Sequence, residues 1–309
     1  MRLRIVSLLL VLGGCSFGFD SPSLVKDLRV LAIEVDPPEL TPDTWQSPLR
    51  VQALVVSAGA VEAVDWSVAM CLVAPTGAML GGGQASQVAR CPQGSAVLAG
   101  GTTSVDAIGY AGPVPPEVVA LAGSSQSVPP QLQLELTVGA APLYTEKSVR
   151  VSPVLPPGQE SNRNPVLSGL TFDGQPWLAG VPLSLEPGAC SSDRLETITN
   201  ADRTTSTLCT HEVIPTFDDA QRQYFVGLSD ITGEFVMEQE GLRFSWFADQ
   251  GVFHSDTTQQ TSDGLTQQIG VSNVWRESSG FKGDVRFWIV VRDGRGGASW
   301  ETRALHFEG

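Results

Sequence analysis

Cysteine and histidine are the residue types best able to do chemistry in this chain, and they are sparse: five cysteines and three histidines in 309 residues. Cys15 stands apart. It closes a segment in which Arg2 and Arg4 supply positive charge and Ile5 to Leu12 are apolar apart from Ser7. That run is well short of the ~20 residues a membrane-spanning helix needs. It therefore reads as a targeting segment outside the fold. The other cysteines, Cys71, Cys91, Cys190 and Cys209, would then fold in an oxidising compartment, where an even count suggests disulfides. Three connectivities are open. Pairing the sequence-local couples, Cys71 with Cys91 and Cys190 with Cys209, puts one bridge in each half of the chain, each worth roughly 3 kcal/mol. Zinc is the rival reading. No close C-x-x-C pair exists, and beside the neighbours Cys209 and His211 the remaining ligands are missing, so no metal and no cofactor is expected.

The rest of the chain offers little for catalysis. His211, His254 and His306 fall in no zinc-binding spacing. His306 is placed in the last strand, where a satisfied, partly buried histidine is expected, and His254 in a solvated loop. No serine occupies a G-x-S-x-G elbow. Gly294, Gly296 and Gly297 sit in a turn and do not cradle phosphate. Acidic loops can hold calcium through oxygen ligands. Asp249, Asp256 and Asp263 surround one loop region and Asp218-Asp219 another, but without the D-x-D-x-D-G pattern they read as solvated carboxylates. The expectation is a non-enzyme.

Leu12-Gly13-Gly14-Cys15 resembles the lipobox of bacterial lipoproteins, small residues just before a cysteine. The resemblance implies that residues 1–14 are a signal peptide and that Cys15 becomes the first mature residue, carrying a diacylglyceryl thioether and usually an acylated amine. Each buried CH₂ contributes about 0.8 kcal/mol, and one chain binds only marginally; two or three on Cys15 would hold the protein firmly. Ser16, in place of an aspartate, implies export to the outer membrane by the sorting rule of enteric bacterial lipoproteins.

The elements that would carry these residues alternate with period two. Leu31, Ile33 and Val35 share one face of an opening strand; Val64, Trp66, Val68 and Met70 share a face of another. Leu132, Leu134, Leu136 and Val138 alternate with polar neighbours and lead into a terminal hairpin. Residues 154–165, almost entirely polar, Pro or Gly, form a linker. Beyond it, Val166 to Phe172 opens a second unit, residues 190–223 read as a polar, disulfide-stapled excursion, and Leu242, Phe244 and Trp246 alternate. Val285, Phe287, Ile289 and Val291 make an inward face, with Trp288 on the other as a second buried layer or an exposed aromatic. A glycine-rich turn at Asp293 to Gly297 joins this strand to the last. A tryptophan on the middle strand of each half resembles the third strand of immunoglobulin-like sandwiches. The fold class is all-β: two tandem immunoglobulin-like or fibronectin-like β-sandwiches, at 27–153 and 166–309, after a lipidated tether at 15–26. With so few apolar side chains in the linker, few contacts should cross it.

Three stretches, Val25 to Ile33, Phe244 to Phe247 and Val291 to Gly297, also resemble outer-membrane lipoproteins of myxobacterial type. That resemblance implies location and fold and offers no activity. The formal net charge of −14 becomes two units more negative once Arg2 and Arg4 are removed, which leaves no electrostatic footprint for nucleic acid. The sequence thus points to a lipid-anchored envelope protein with a non-catalytic binding or structural role. Its partners would be the membrane, through the acyl chains on Cys15, and an envelope protein or glycan. Two other classes are weighed: an accessory carbohydrate-binding lipoprotein, with Trp45, Trp177 or Trp275 stacking on sugars, and an envelope hydrolase.

Overall fold

The computed structural model describes residues 21–59, 63–73, 96–116, 119–120, 131–186, 190, 192–199, 204–228, 233–260, 271–278 and 281–308. Alternating apolar residues give strands throughout, and the strands form two β-sandwiches. In the first, β1 (Arg29–Asp36), β3 (Leu49–Val56) and β6 (Gly109–Gly112) form one sheet in the order β1-β3-β6. The facing sheet runs β2-β8-β7-β4-β5, from β2 (Glu39–Leu40), β4 (Val64–Val73), β5 (Ala96–Thr103), β7 (Gln131–Val138) and β8 (Leu143–Val151). β2 pairs parallel with β8, whereas the other pairings are antiparallel.

The second sandwich repeats this plan. Its first sheet runs β10-β9-β13-β19-β17, built from β9 (Gly169–Phe172), β10 (Gln175–Trp177), β13 (Thr205–Thr216), β17 (Val252–Phe253) and β19 (Asn273–Ser278), with β12 (Leu195–Thr199) also paired to β13. Its second sheet runs β11-β21-β20-β16-β18, from β11 (Leu183–Leu185), β16 (Leu242–Ala248), β18 (Thr257–Gln260), β20 (Gly283–Arg292) and β21 (Ala298–Phe307). Here too a short early strand, β11, pairs parallel with the last. Opening strand, second strand and fifth strand form one sheet, and the last two strands join the third in the other, as in immunoglobulin-like and fibronectin-like sandwiches. A hairpin of β14 (Tyr224–Leu228) and β15 (Phe235–Gln239) is inserted before β16 as a separate two-stranded sheet.

Two readings of the sequence are corrected here. The region 190–223 is not an excursion: it contains β13, the central strand of its sheet, whose inward residues Cys209, His211 and Val213 are buried. Leu31 does not share the face of Ile33 and Val35. A register shift between Val30 and Ala32 inserts one residue, and such a bulge sends the residues beyond it to the opposite face. Ile33 and Val35 enter the first core, while Leu31 and Ala32 point away from it.

Leu31 and Ala32 are nonetheless buried, because the sandwiches pack against each other. With Val25, Leu54 and Val56 they meet Trp288 and Val290 of β20, flanked by Phe247 and Trp300. Trp288, 5% exposed, is therefore the second buried layer, and Arg286 lies over its ring at 5.4 Å. Hydrogen bonds seal the rim: Arg292 donates to the carbonyl of Leu31 at 2.8 Å, Arg286 to those of Ser57 and Ala58, and Asn164 to that of Val35. The expectation of few contacts between the halves is thus overturned. Its premise, that a polar linker cannot dock, overlooked the linker's hydrogen-bonding capacity and the second apolar face of β1 and β3. The tether is shorter than expected as well, since Val25 N–H donates to the carbonyl of Ala248 and Ala248 N–H to that of Ser23.

The linker's own polar groups are used at the junction. Asn162 donates its backbone N–H to Glu39 at 2.8 Å and its side-chain amide to Asp293 at 2.9 Å. Asp293 in turn accepts from the backbone N–H groups of Arg295, Gly296 and Gly297, which folds the turn before β21 tightly. A side chain at Gly297 would meet the Asp293 carboxylate at 2.1 Å. The turn aims Arg295 between two buried carboxylates, Glu240 of the second sandwich at 2.6 Å and Glu39 of the first at 3.4 Å. Glu39 also accepts from the Ser152 hydroxyl at 2.5 Å.

Candidate functional site

The one described group of histidine, cysteine and carboxylate side chains in metal-ligand proximity lies inside the second sandwich. His211 enters the core because it occupies the inward phase of β13, two residues after Cys209. Its ring stacks on Phe172, with centroids 4.9 Å apart and planes at 25°, and packs beside Trp275 and Phe307. Nδ1 lies 2.8 Å from Oδ2 of Asp173. Asp173 begins the two-residue turn between β9 and β10. It and Gly174 have φ of +51° and +78°, the left-handed pair that Asp-Gly favours in a tight hairpin. The turn points the Asp173 carboxylate back at β13, where it also accepts from the Glu212 N–H at 2.9 Å and pairs with Arg194.

On the other side of the ring, Glu277 Oε1 lies 3.6 Å from Nε2. The register of β13 against β19 sets this contact: Cys209 pairs with Glu277 and His211 with Trp275. Cys209 is joined to Cys190 by a disulfide, with Cα atoms 5.7 Å apart. A sulfur of Cys209, a ring nitrogen of His211 and a carboxylate oxygen of Glu277 all lie within 4.8 Å of one another.

Electrostatics bind the histidine to its neighbours. Burial disfavours the imidazolium, but the hydrogen bond with Asp173 and the nearby carboxylates of Asp173 and Glu277 outweigh it and raise the His211 pKa above 6.5. Burial likewise opposes ionisation of Asp173; the hydrogen bonds from His211 and the Glu212 N–H, with the His211 and Arg194 charges, hold its carboxyl below 3.8. The cluster can store a proton or ligate a cation, and its 2% exposure closes His211 to a bulky substrate.

The residues singled out in the sequence fare differently. Cys190 and Cys209 form the disulfide expected of them. Cys71 is disulfide-bonded, while Cys15 and Cys91 lie outside the described residues, as does Asp263. His254 is exposed and only its backbone is engaged, donating to Val274. His306 proves exposed, not partly buried, with Asp284 at 2.6 Å, because it sits on the outward phase of β21. The aspartates weighed for calcium do not converge. Asp249 pairs with Arg286, Asp256 accepts from Ser21, Asp218 accepts from the Ala220 N–H and Asp219 pairs with Arg222. Trp177 and Trp275 are fully buried, so they do not form a sugar platform with Trp45, which packs half-buried on the first core. Asp173 and Glu277 carry no local signal of this site: an Asp-Gly pair indicates only a tight turn, and nothing near Glu277 in sequence shows that it faces Cys209.

No family model matches this chain, and no curated protein matches it. Among solved structures, it is similar to dimeric latent PorU from Porphyromonas gingivalis, with 11% identity over 93% of this chain and 24% of that one and a TM-score of 0.21. It is similar to Escherichia coli alpha-2-macroglobulin activated by porcine elastase, with 12% identity over 93% of this chain and 22% of that one and a TM-score of 0.24. For the native conformation of the same macroglobulin the values are 11%, 91%, 17% and 0.24. The chain spans at most about a quarter of the length of these proteins, and likenesses of this depth assign no function.

Proposed function

We propose that this protein is a lipid-anchored cell-envelope protein with a non-catalytic binding or structural role, held at the outer membrane through acyl chains on Cys15. The observation that carries the reading is the Leu12-Gly13-Gly14-Cys15 segment behind its short apolar run; the docking of residues 23–25 then limits how far the sandwiches lie from the anchor. Leu24 forms a parallel bridge with Ala248 at the end of β16, and Val25 is fully buried. The chain from Cys15 to Ser21 can reach at most about 20 Å. An acylated Cys15 would therefore hold the paired sandwiches close to the membrane surface. No helix among the described residues is long and apolar enough to cross a membrane.

A binding role would be exercised at the β14–β15 hairpin, which leaves Tyr224, Phe235, Val236 and Met237 exposed, Phe235 at 79%. Tyr224, Phe235 and Met237 share one face of the hairpin, and exposed apolar side chains on one face are what a contact surface offers an envelope partner. Beside them a cleft of about 630 Å³ is lined by Glu160, Arg163, Gln223 and Tyr224. The anchoring reading is tested by Cys15→Ala in the native host. The wild type should fractionate with the outer membrane and require detergent for release, and the variant should become soluble. A variant that still needs detergent for release would overturn the anchor.

A further inference from the structure

The cluster around His211 points beyond anchoring and contact. Nε2 of His211 and Oε2 of Glu277 are buried without a hydrogen-bond partner, in residues only 2% and 6% exposed. Leaving such groups unsatisfied costs stability, because each has given up its hydrogen bonds to water. Asp173 holds Nδ1, the arrangement that orients metal-ligating histidines and leaves the other nitrogen free to ligate. The 3.6 Å between Nε2 and Oε1 is close to the ~3.4 Å edge that zinc–ligand distances of roughly 2.0–2.2 Å subtend at a tetrahedral angle. Cys209 completes a three-residue set within 4.8 Å. What the oxidised protein lacks is a thiolate, the form of cysteine that binds metal.

We propose that Cys190, Cys209, His211 and Glu277 are a latent tetrahedral zinc site, closed by the Cys190–Cys209 disulfide and opened by a dithiol reductant. The dithiol gives two electrons and its two protons. Its own sulfurs join in a disulfide, the Cys190–Cys209 bond breaks, and two thiols form. Zn²⁺ then releases both thiol protons to solvent and binds two thiolates, Nε2 of His211 and one oxygen of Glu277. Once the bond is broken, the sulfurs need part only to the ~3.8 Å expected of two sulfurs on one zinc, a local movement. Two sulfurs and an imidazole favour zinc over magnesium or calcium. Either bond, disulfide or metal, ties residue 190 to β13, so the sandwich stays closed in both states.

Full-length protein in detergent micelles, reduced with a phosphine and exchanged anaerobically into reductant-free buffer, is titrated with Co²⁺ and then Zn²⁺. Reduced protein should take one equivalent of Co²⁺ with thiolate charge-transfer bands and the intense visible bands of a tetrahedral site, displaced by one equivalent of Zn²⁺; oxidised protein should show neither. Cys190→Ser and Glu277→Gln should each weaken zinc binding at least tenfold. Cys71→Ser, which removes the other described disulfide cysteine, should bind as the wild type does. Near-ultraviolet circular dichroism from the buried tryptophans checks that each variant is folded. The proposal fails if the folded, reduced protein gives no cobalt spectrum, or if Cys71→Ser abolishes binding while Cys190→Ser and Glu277→Gln leave it unchanged. It fails equally if reduction unfolds the chain and zinc does not restore it.

Discussion

Along the third strand of the first sandwich the buried inward residues are Val64, Val68 and Met70, and along its penultimate strand Leu132, Leu134, Leu136 and Val138. At the matching places of the second sandwich stand Leu242, Phe244, Trp246 and Ala248, then Val285, Phe287, Ile289 and Val291. The strand order is the same and the filling is not. The buried residues of one core are aliphatic or Met70; the other packs Phe172, Trp177, Trp246, Trp275, Phe287 and Phe307, many of the rings meeting edge to face, and three of them, Phe172, Trp275 and Phe307, pack against a histidine. Both halves reach this strand order although their connections differ, the second carrying the inserted β14–β15 hairpin, and the interior can vary as long as its volume is filled. Aromatic rings also offer a flat polarisable face on which an imidazole can stack while the Asp173 carboxylate holds one of its nitrogens. The aliphatic core of the first sandwich holds no comparable described group. Polar chemistry could be built into one copy of the fold without changing its topology.

Separating the halves should have the largest effect. The fragment 164–309 alone would expose Trp288, Val290, Phe247 and Trp300, which the first sandwich covers, and it is expected to self-associate or precipitate in analytical ultracentrifugation. A monomeric fragment that unfolds cooperatively would show that each copy of the fold stands by itself. Within the intact chain, Trp275→Ala should lower the unfolding free energy by roughly 3–5 kcal/mol and Leu134→Ala by roughly 2–5 kcal/mol. Urea titrations followed by circular dichroism measure both, and equal losses would argue that ring packing adds nothing to aliphatic packing. Arg295→Met should cost about 3 kcal/mol, because it leaves Glu240 buried without its cation and Glu39 with only the exposed Arg150 at 3.8 Å. Burial, despite the Gln223 N–H and Arg295, already raises the Glu240 pKa. The triple variant with Glu39→Gln and Glu240→Gln should recover much of the loss in the same titration. If Arg295→Met alone is neutral, the buried ion cluster does not join the sandwiches.

Much of this architecture was legible beforehand. The alternation at Leu132 to Val138 and at Val285 to Val291 identified strands that the structure places in the two cores, and proximity in sequence suited the Cys190–Cys209 disulfide. β13 was misread because threonines and other polar residues dominate it, and only Cys209, His211 and Val213 mark its inward phase. Leu31 was misassigned because a bulge has no signature in alternating apolar residues that are buried on both faces.

Period-two alternation and turn residues act over a few neighbouring positions, so an all-β chain with a repeated plan is readable from the amino acids alone. That the halves lie against each other, and that Asp173, His211, Glu277 and Cys209 meet, is settled by the fold. Those contacts depend on the register of β13 against β19 and on which outer faces are apolar together. Register and docking are properties of residues far apart in the chain, settled when separate surfaces exclude water from each other.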